Sequence, residues 1–237
     1  MIKFFRKIRQ NLLMENKTGK YLKYAIGEIV LVVIGILIAL SINNWNEEIK
    51  NRAFEKEILE QIRANLIKDK QTLESIQVNF ENAINSTDKV LKSELSINEK
   101  DSLKYWLSDI LRFDRFQPLT NSFEVAKSKG LDLISNKKLR FDIGAYYDYE
   151  IKRVVKAIED VEETFKEDWI YFLRKEAKEF KFGQFVVLKD LDILKDENEF
   201  TNILRTNKDN YNGGNIRLKS GIEHIDRIIN LLDEELQ

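Results

Sequence analysis

The chain reads as all-α: an N-terminal transmembrane helix followed by an antiparallel bundle of long helices. Three observations point there. One Pro and nine Gly among 237 residues leave little punctuation, so elements run long. A third of the residues are charged, which suits solvated helices better than a compact sheet protein. Apolar residues recur at alternating spacings of three and four through most of the chain after residue 50, the signature of helices with one buried face.

The first element is the apolar run YAIGEIVLVVIGILIALSINNW, residues 24–45. As a helix it spans about 32 Å at 1.5 Å per residue, the thickness of a bilayer's hydrocarbon core. Tyr21 and Tyr24 border one end and Trp45 the other, where amphipathic rings settle among headgroups. Residues 1–25 carry seven basic side chains against Glu15 alone, whereas the part from residue 43 onward is net acidic. The positive-inside rule then orients the N-terminus to the cytoplasm and the remainder to the outside. Ala39-Leu40-Ser41 satisfies a minimal small-x-small cleavage rule. The long basic segment before the run and the helical pattern after it favour an uncleaved anchor. The expected division is a basic cytoplasmic segment 1–23, a membrane helix 24–45 and an extracytoplasmic bundle 46–237.

Glu28 lies one turn inside that helix. It either snorkels to the interface or meets a polar group on a neighbouring helix. Glu28, Gly35 and Ala39 share one helical face, and Gly35-x-x-x-Ala39 is a small-xxx-small pair that permits close helix approach. Upstream, MIKFFRKIRQNLL either lies on an anionic leaflet or supplies only topology charges. ENKTGKY lacks the glycine spacing of a phosphate loop and has Tyr21 where Ser or Thr belongs.

KTGKYLKYAIGEIVLVVIGILIALSINNWNEE, preceded by MIKFFRKIRQNLL, resembles the N-terminal signature of an uncharacterised membrane-anchored family of Bacteroidota-type bacteria, classed only as a domain of unknown function. NSFEVAKSKGLDLISNKKLRFDIGAYYDYE, residues 121–150, resembles that family's second recurring segment. The resemblance implies a small single-pass envelope protein and brings no catalytic residue with it.

After the anchor, Leu59, Ile62, Leu66, Asp69, Leu73, Ile76, Phe80 and Ala83 make a stripe broken only by Asp69, which either specifies register or faces solvent. Ser96-x-x-Glu99 reads as a capping box opening a helix to about Arg112. Phe113, Phe116 and Pro118 mark a corner. A short helix from Asn121 stops near Gly130, and Ser135 or Asn136 caps the next. That helix carries a stripe from Ile143 through Tyr147, Ile151, Val154, Ile158, Val161, Phe165 and Trp169 to Phe172. FKFGQFVVL is expected to be irregular, DENEFTNILRTN a short helix, and Asn212-Gly213-Gly214 a turn before a last amphipathic helix through Leu218, Ile222, Ile225, Ile229, Leu232 and Leu236.

Chemistry is sparse. Without Cys there is no thiol nucleophile, disulfide or Cys-ligated metal, and the single His224 cannot supply the paired Glu-x-x-His motifs of a di-iron bundle. The Glu159, Glu162, Glu163 and Glu167 cluster reads as a solvated face. DLDILKDENE and NKDNYNGGN fit no EF-hand order. Tyr146, Tyr147, Tyr149, Phe165, Trp169 and Tyr171 either pack the core and its rim or line a ligand cavity. A sequence pI of about 6.1 argues against a nucleic-acid partner. The expectation is a non-enzymatic, cofactor-free envelope protein whose bundle binds protein partners or itself. The alternative is a ligand-sensing bundle that signals through a partner.

Overall fold

The computed structural model describes residues 18–92, 97–194 and 197–237. The Ser96–Glu99 capping box, the segment before Thr18 and part of DLDILKDENE therefore lie outside the described groups, as do the side chains of Tyr21 and Tyr24. The described chain is helical apart from one hairpin. Its first helix, α1, runs Thr18–Val90. The fold divides between Phe54 and Glu55 into two units.

In the first unit, residues 29–50 are exposed on every face of α1, with Ile29 at 63% and Leu31 at 64%. In the second unit the stripe on α1 is buried at every position, Asp69 included. The same unit holds α2 (Ile97–Leu111), α3 (Asn121–Lys129), α4 (Lys137–Ala145), α5 (Ile151–Thr164), α6 (Ile170–Glu176) and α7 (Glu199–Glu235).

Side-chain pairs fix the directions. Arg63 meets Asp233, Lys70 meets Asp226 and Lys208 meets Asp88, so α7 descends as α1 ascends. Ser86 donates to Asp109 and Asn79 to Asp114, which sets α2 and the connector after it antiparallel to α1. The bundle expected from the stripes is therefore present.

The caps are local. Asn136 accepts from the N–H groups of Lys138 and Leu139 and starts α4. Gly130 ends α3 at φ +104°, a left-handed conformation that favours glycine. From α4 to α6 the helical path continues through two π-turns, Tyr146–Glu150 and Phe165–Trp169. Each is marked by an i+5 hydrogen bond, Ile151 N–H to Tyr146 O and Ile170 N–H to Phe165 O.

Two sequence expectations are corrected. FKFGQFVVL is not irregular: β1 (Ala177–Lys181) pairs antiparallel with β2 (Phe185–Leu188), turning at Gly183 with φ +68°. The partner strand escaped notice because AKEFK is mostly charged, and it is the exposed strand of the ribbon. β2 is wholly apolar, with Val186 and Leu188 buried. Nor is Asn212-Gly213-Gly214 a turn; it lies inside α7, which absorbs the short helix before it. Gly214 is buried against Phe80, so its small size serves helix packing.

Candidate functional site

Of the residues singled out in the apolar segment, Gly35, Ala39 and Trp45 are exposed and Glu28 is half-buried. A β-carbon on Gly35 would meet nothing within 4 Å. Ser41 Oγ donates to the Leu37 carbonyl at 2.8 Å, so its hydroxyl is satisfied within the helix. Glu28, Gly35 and Ala39 share one face by helical geometry. The segment from Ala25 is long and apolar enough to cross a bilayer, and its apolar window buries nothing within the structure.

The second unit holds a buried polar group at the first π-turn. Asp69 is 2% exposed in the middle of the apolar stripe of α1. It neither faces solvent nor pairs with another helix: its two oxygens accept the Leu119 N–H at 3.3 and 3.1 Å. Tyr147 Oη donates to the carbonyl of the same residue at 3.5 Å. Leu119, the residue after Pro118, is thus held through its N–H and its carbonyl, and the proline corner is fixed to α1 and to the π-turn. Burial raises the Asp69 carboxyl to about 6, partly offset by the Leu119 hydrogen bond.

Tyr146 and His224 complete the cluster. Their rings meet edge-on at 5.7 Å, and neither Tyr146 Oη nor His224 Nε2 has a partner among the described residues, although both are buried. Burial, then the nearby Arg227 charge, lowers the His224 pKa, so the imidazole stays neutral. Burial likewise pushes both phenols up, reinforced by the Asp69 charge. Below them Ser220 donates to Glu150 at 2.6 Å, and Arg153 approaches the same carboxylate. His224 is thus a boundary residue with a buried ring nitrogen. Sequence spacing located Asp69 but gave no sign that Leu119 or Tyr146 would face it.

The remaining sequence candidates separate. Tyr146, Tyr147 and Trp169 are core residues, whereas Tyr149 and Tyr171 are exposed. Tyr171, Phe172 and Phe200 line an open pocket of about 300 Å³ beside the second π-turn, together with Glu167, Asp168 and Lys175. Within the glutamate cluster, Glu162 is not a solvated residue. It is 9% exposed and gripped by Arg115 at 2.7 Å and Lys166 at 2.8 Å. Those hydrogen bonds lower its carboxyl to about 2. Among the described residues no group of three or more His, Asp or Glu is placed to hold a metal ion.

Comparison with curated proteins and with solved structures gives no match. A family model does match, over residues 28–205, a span that takes in most of the apolar segment and the bundle as far as the start of α7. With three quarters of its length under that model, this chain belongs to DUF6090, a family of unknown function.

Proposed function

We propose that the protein is a membrane-tethered helical module that presents its bundle to protein partners, or to further copies of itself, on the outer side of a bacterial inner membrane. The observation that supports the tether is the exposure of residues 29–50 of α1 on all faces, with isoleucine, leucine and valine dominating its first two thirds. An apolar helix bare all round is stable in hydrocarbon and costly in water, at about 25 cal/mol for each Å² left wet. Residues 1–25, with seven basic side chains against one acidic, supply the orientation, and Trp45 supplies an interfacial anchor.

The mechanism is presentation, not turnover. Of the most chemically suggestive side chains, Asp69 holds the proline corner, Tyr146 fills the core, and His224 packs edge-on against Tyr146 at its boundary. A tether raises the local concentration of whatever the bundle binds and fixes the direction from which partners approach. The ligand-sensing alternative is favoured by the open pocket beside Tyr171 and Phe172.

Alkaline carbonate extraction of cell membranes tests the tether. Retention of the full-length chain in the pellet is expected, and quantitative release into the supernatant contradicts it. In-cell photo-crosslinking from exposed positions on the bundle tests presentation, with reproducible capture of one protein or of a second copy as the expected result. Absence of any adduct over a scan of the bundle surface would contradict it.

A further inference from the structure

Four phenylalanine rings gather where the hairpin meets the second π-turn. Phe113, from the connector after α2, lies 4.9 Å from Phe165 and 5.0 Å from Phe182, and Phe165 lies 5.6 Å from Phe182. Phe180, in β1, and Phe182, in the turn that follows it, bring their rings within 6.5 Å of each other. They remain 39% and 44% exposed, although aromatic rings of this size are normally put to use in a core or an interface. With Ile170 and Leu173 the rings line an open groove of about 430 Å³.

One charged side chain belongs to that lining, Arg174. It is exposed and has no hydrogen-bond or ion-pair partner among the described residues. Charges of both signs flank the lining residues in the chain: Arg112 and Asp114 lie on either side of Phe113 and pair at 3.7 Å, and Glu179 precedes Phe180. The Arg115 guanidinium lies 5.3 Å over the Phe113 ring, and Lys166 follows Phe165 in the chain. Both of those cations share one carboxylate, Glu162, which leaves Arg174 as the one charge in the lining itself. A concave apolar site of this volume, with a single placed polar group, has the dimensions of a small-molecule site. An interface between stable partners needs about 800 Å² on each side.

We propose that this groove binds a small amphipathic anion, a medium-chain alkyl carboxylate. Its chain lies against the four phenylalanine rings and its carboxylate on the Arg174 guanidinium, whose fork matches two carboxylate oxygens. The site goes beyond the tethered-partner function and does not depend on it.

The test is calorimetric titration of the full-length protein in nanodiscs of zwitterionic lipid, with empty nanodiscs as the blank. Octanoate is the probe and octyltrimethylammonium its charge-inverted control. Saturable octanoate binding is expected, with the ammonium weaker by about tenfold or more, the scale of one charge-assisted hydrogen bond. Arg174→Gln should weaken octanoate by a similar factor without moving the thermal midpoint, since Arg174 is exposed and unpaired. Phe182→Ser should weaken both amphiphiles. Bound octanoate should slow amide exchange in the hairpin, Ala177–Leu188. Equal binding of the two amphiphiles, octanoate binding unchanged by Arg174→Gln, or uptake no greater than by empty discs would overturn the site. Capture of an acidic peptide in the groove with no octanoate binding would overturn it as well. Failure of the protein to enter the nanodisc would instead count against the tether.

Discussion

A β-carbon on residue 214 would sit 2.5 Å from Phe80 Cε2, so Gly214 of α7 and Phe80 of α1 set how closely these two helices approach. Phe80 is fully buried and meets Tyr211 edge-on at 4.9 Å, one turn along α7. Its ring has little room to yield. Gly214→Ala should therefore destabilise the bundle by about 1–3 kcal/mol through overpacking, although alanine is the better helix former. Gly213 is the control: it is exposed, and a β-carbon there meets nothing within 4 Å. Gly213→Ala should stabilise by about 0.5–1 kcal/mol, the propensity gain alone. Denaturant titration followed by circular dichroism reads both, and opposite signs at adjacent glycines are the expected outcome.

This pair also shows what sequence could and could not convey. Asn-Gly-Gly is a strong local turn signal, and only the ring of Phe80, more than a hundred residues away, explains glycine inside a helix. The stripes on α1 and α5 were legible because burial on one face imposes its period on every turn. The hairpin was hidden because three of the five β1 residues are charged, so half of the pair carried only a weak signal. Asp69 stood out as a break in a stripe. That its acceptor oxygens were needed by the Leu119 N–H depended on where the proline corner folds back. The groove was the least legible feature, since Phe113, Phe165 and Phe182 come from three separate segments.

Asp69 gives a pH dependence with a definite sign. Its carboxyl is raised from 3.8 to about 6 in the folded protein, so folding favours its protonated form. The contribution is fully present below the unfolded value and is lost as pH rises through 6. Asp69→Asn keeps an acceptor for the Leu119 N–H without the buried charge. It should raise the thermal midpoint at pH 8, with a gain that shrinks toward pH 5. Asp69→Leu leaves that N–H unpaired and should cost about 1–3 kcal/mol. Equal loss with Asn at both pH values would contradict the assignment.

Glu162 works in the opposite direction. Hydrogen bonds from Arg115 and Lys166 lower its carboxyl from 4.5 to about 2. Its contribution is present above pH 4.5 and is lost as pH falls toward 2. Glu162→Gln should lower the midpoint at neutral pH and flatten the acid limb of the stability profile. An acid limb identical to that of the parent protein would contradict this role.

Tyr211 joins α7 to the end of α2. Its hydroxyl is buried and donates to the Ile110 carbonyl at 3.1 Å, and the Arg112 carbonyl is a second partner. Tyr211→Phe keeps the edge contact with Phe80 and removes the donor. A loss of about 1 kcal/mol is expected, measured by denaturant titration.

Topology provides the most direct measurement. The natural chain contains no cysteine, so a single introduced thiol reports its own side of the membrane. Lys56→Cys, at an exposed position of α1, should react with an impermeant maleimide added outside intact spheroplasts. Arg9→Cys should react only after the membrane is opened. Equal labelling of the two before lysis, or protection of Lys56→Cys, would contradict a helix that crosses the bilayer with its bundle outside.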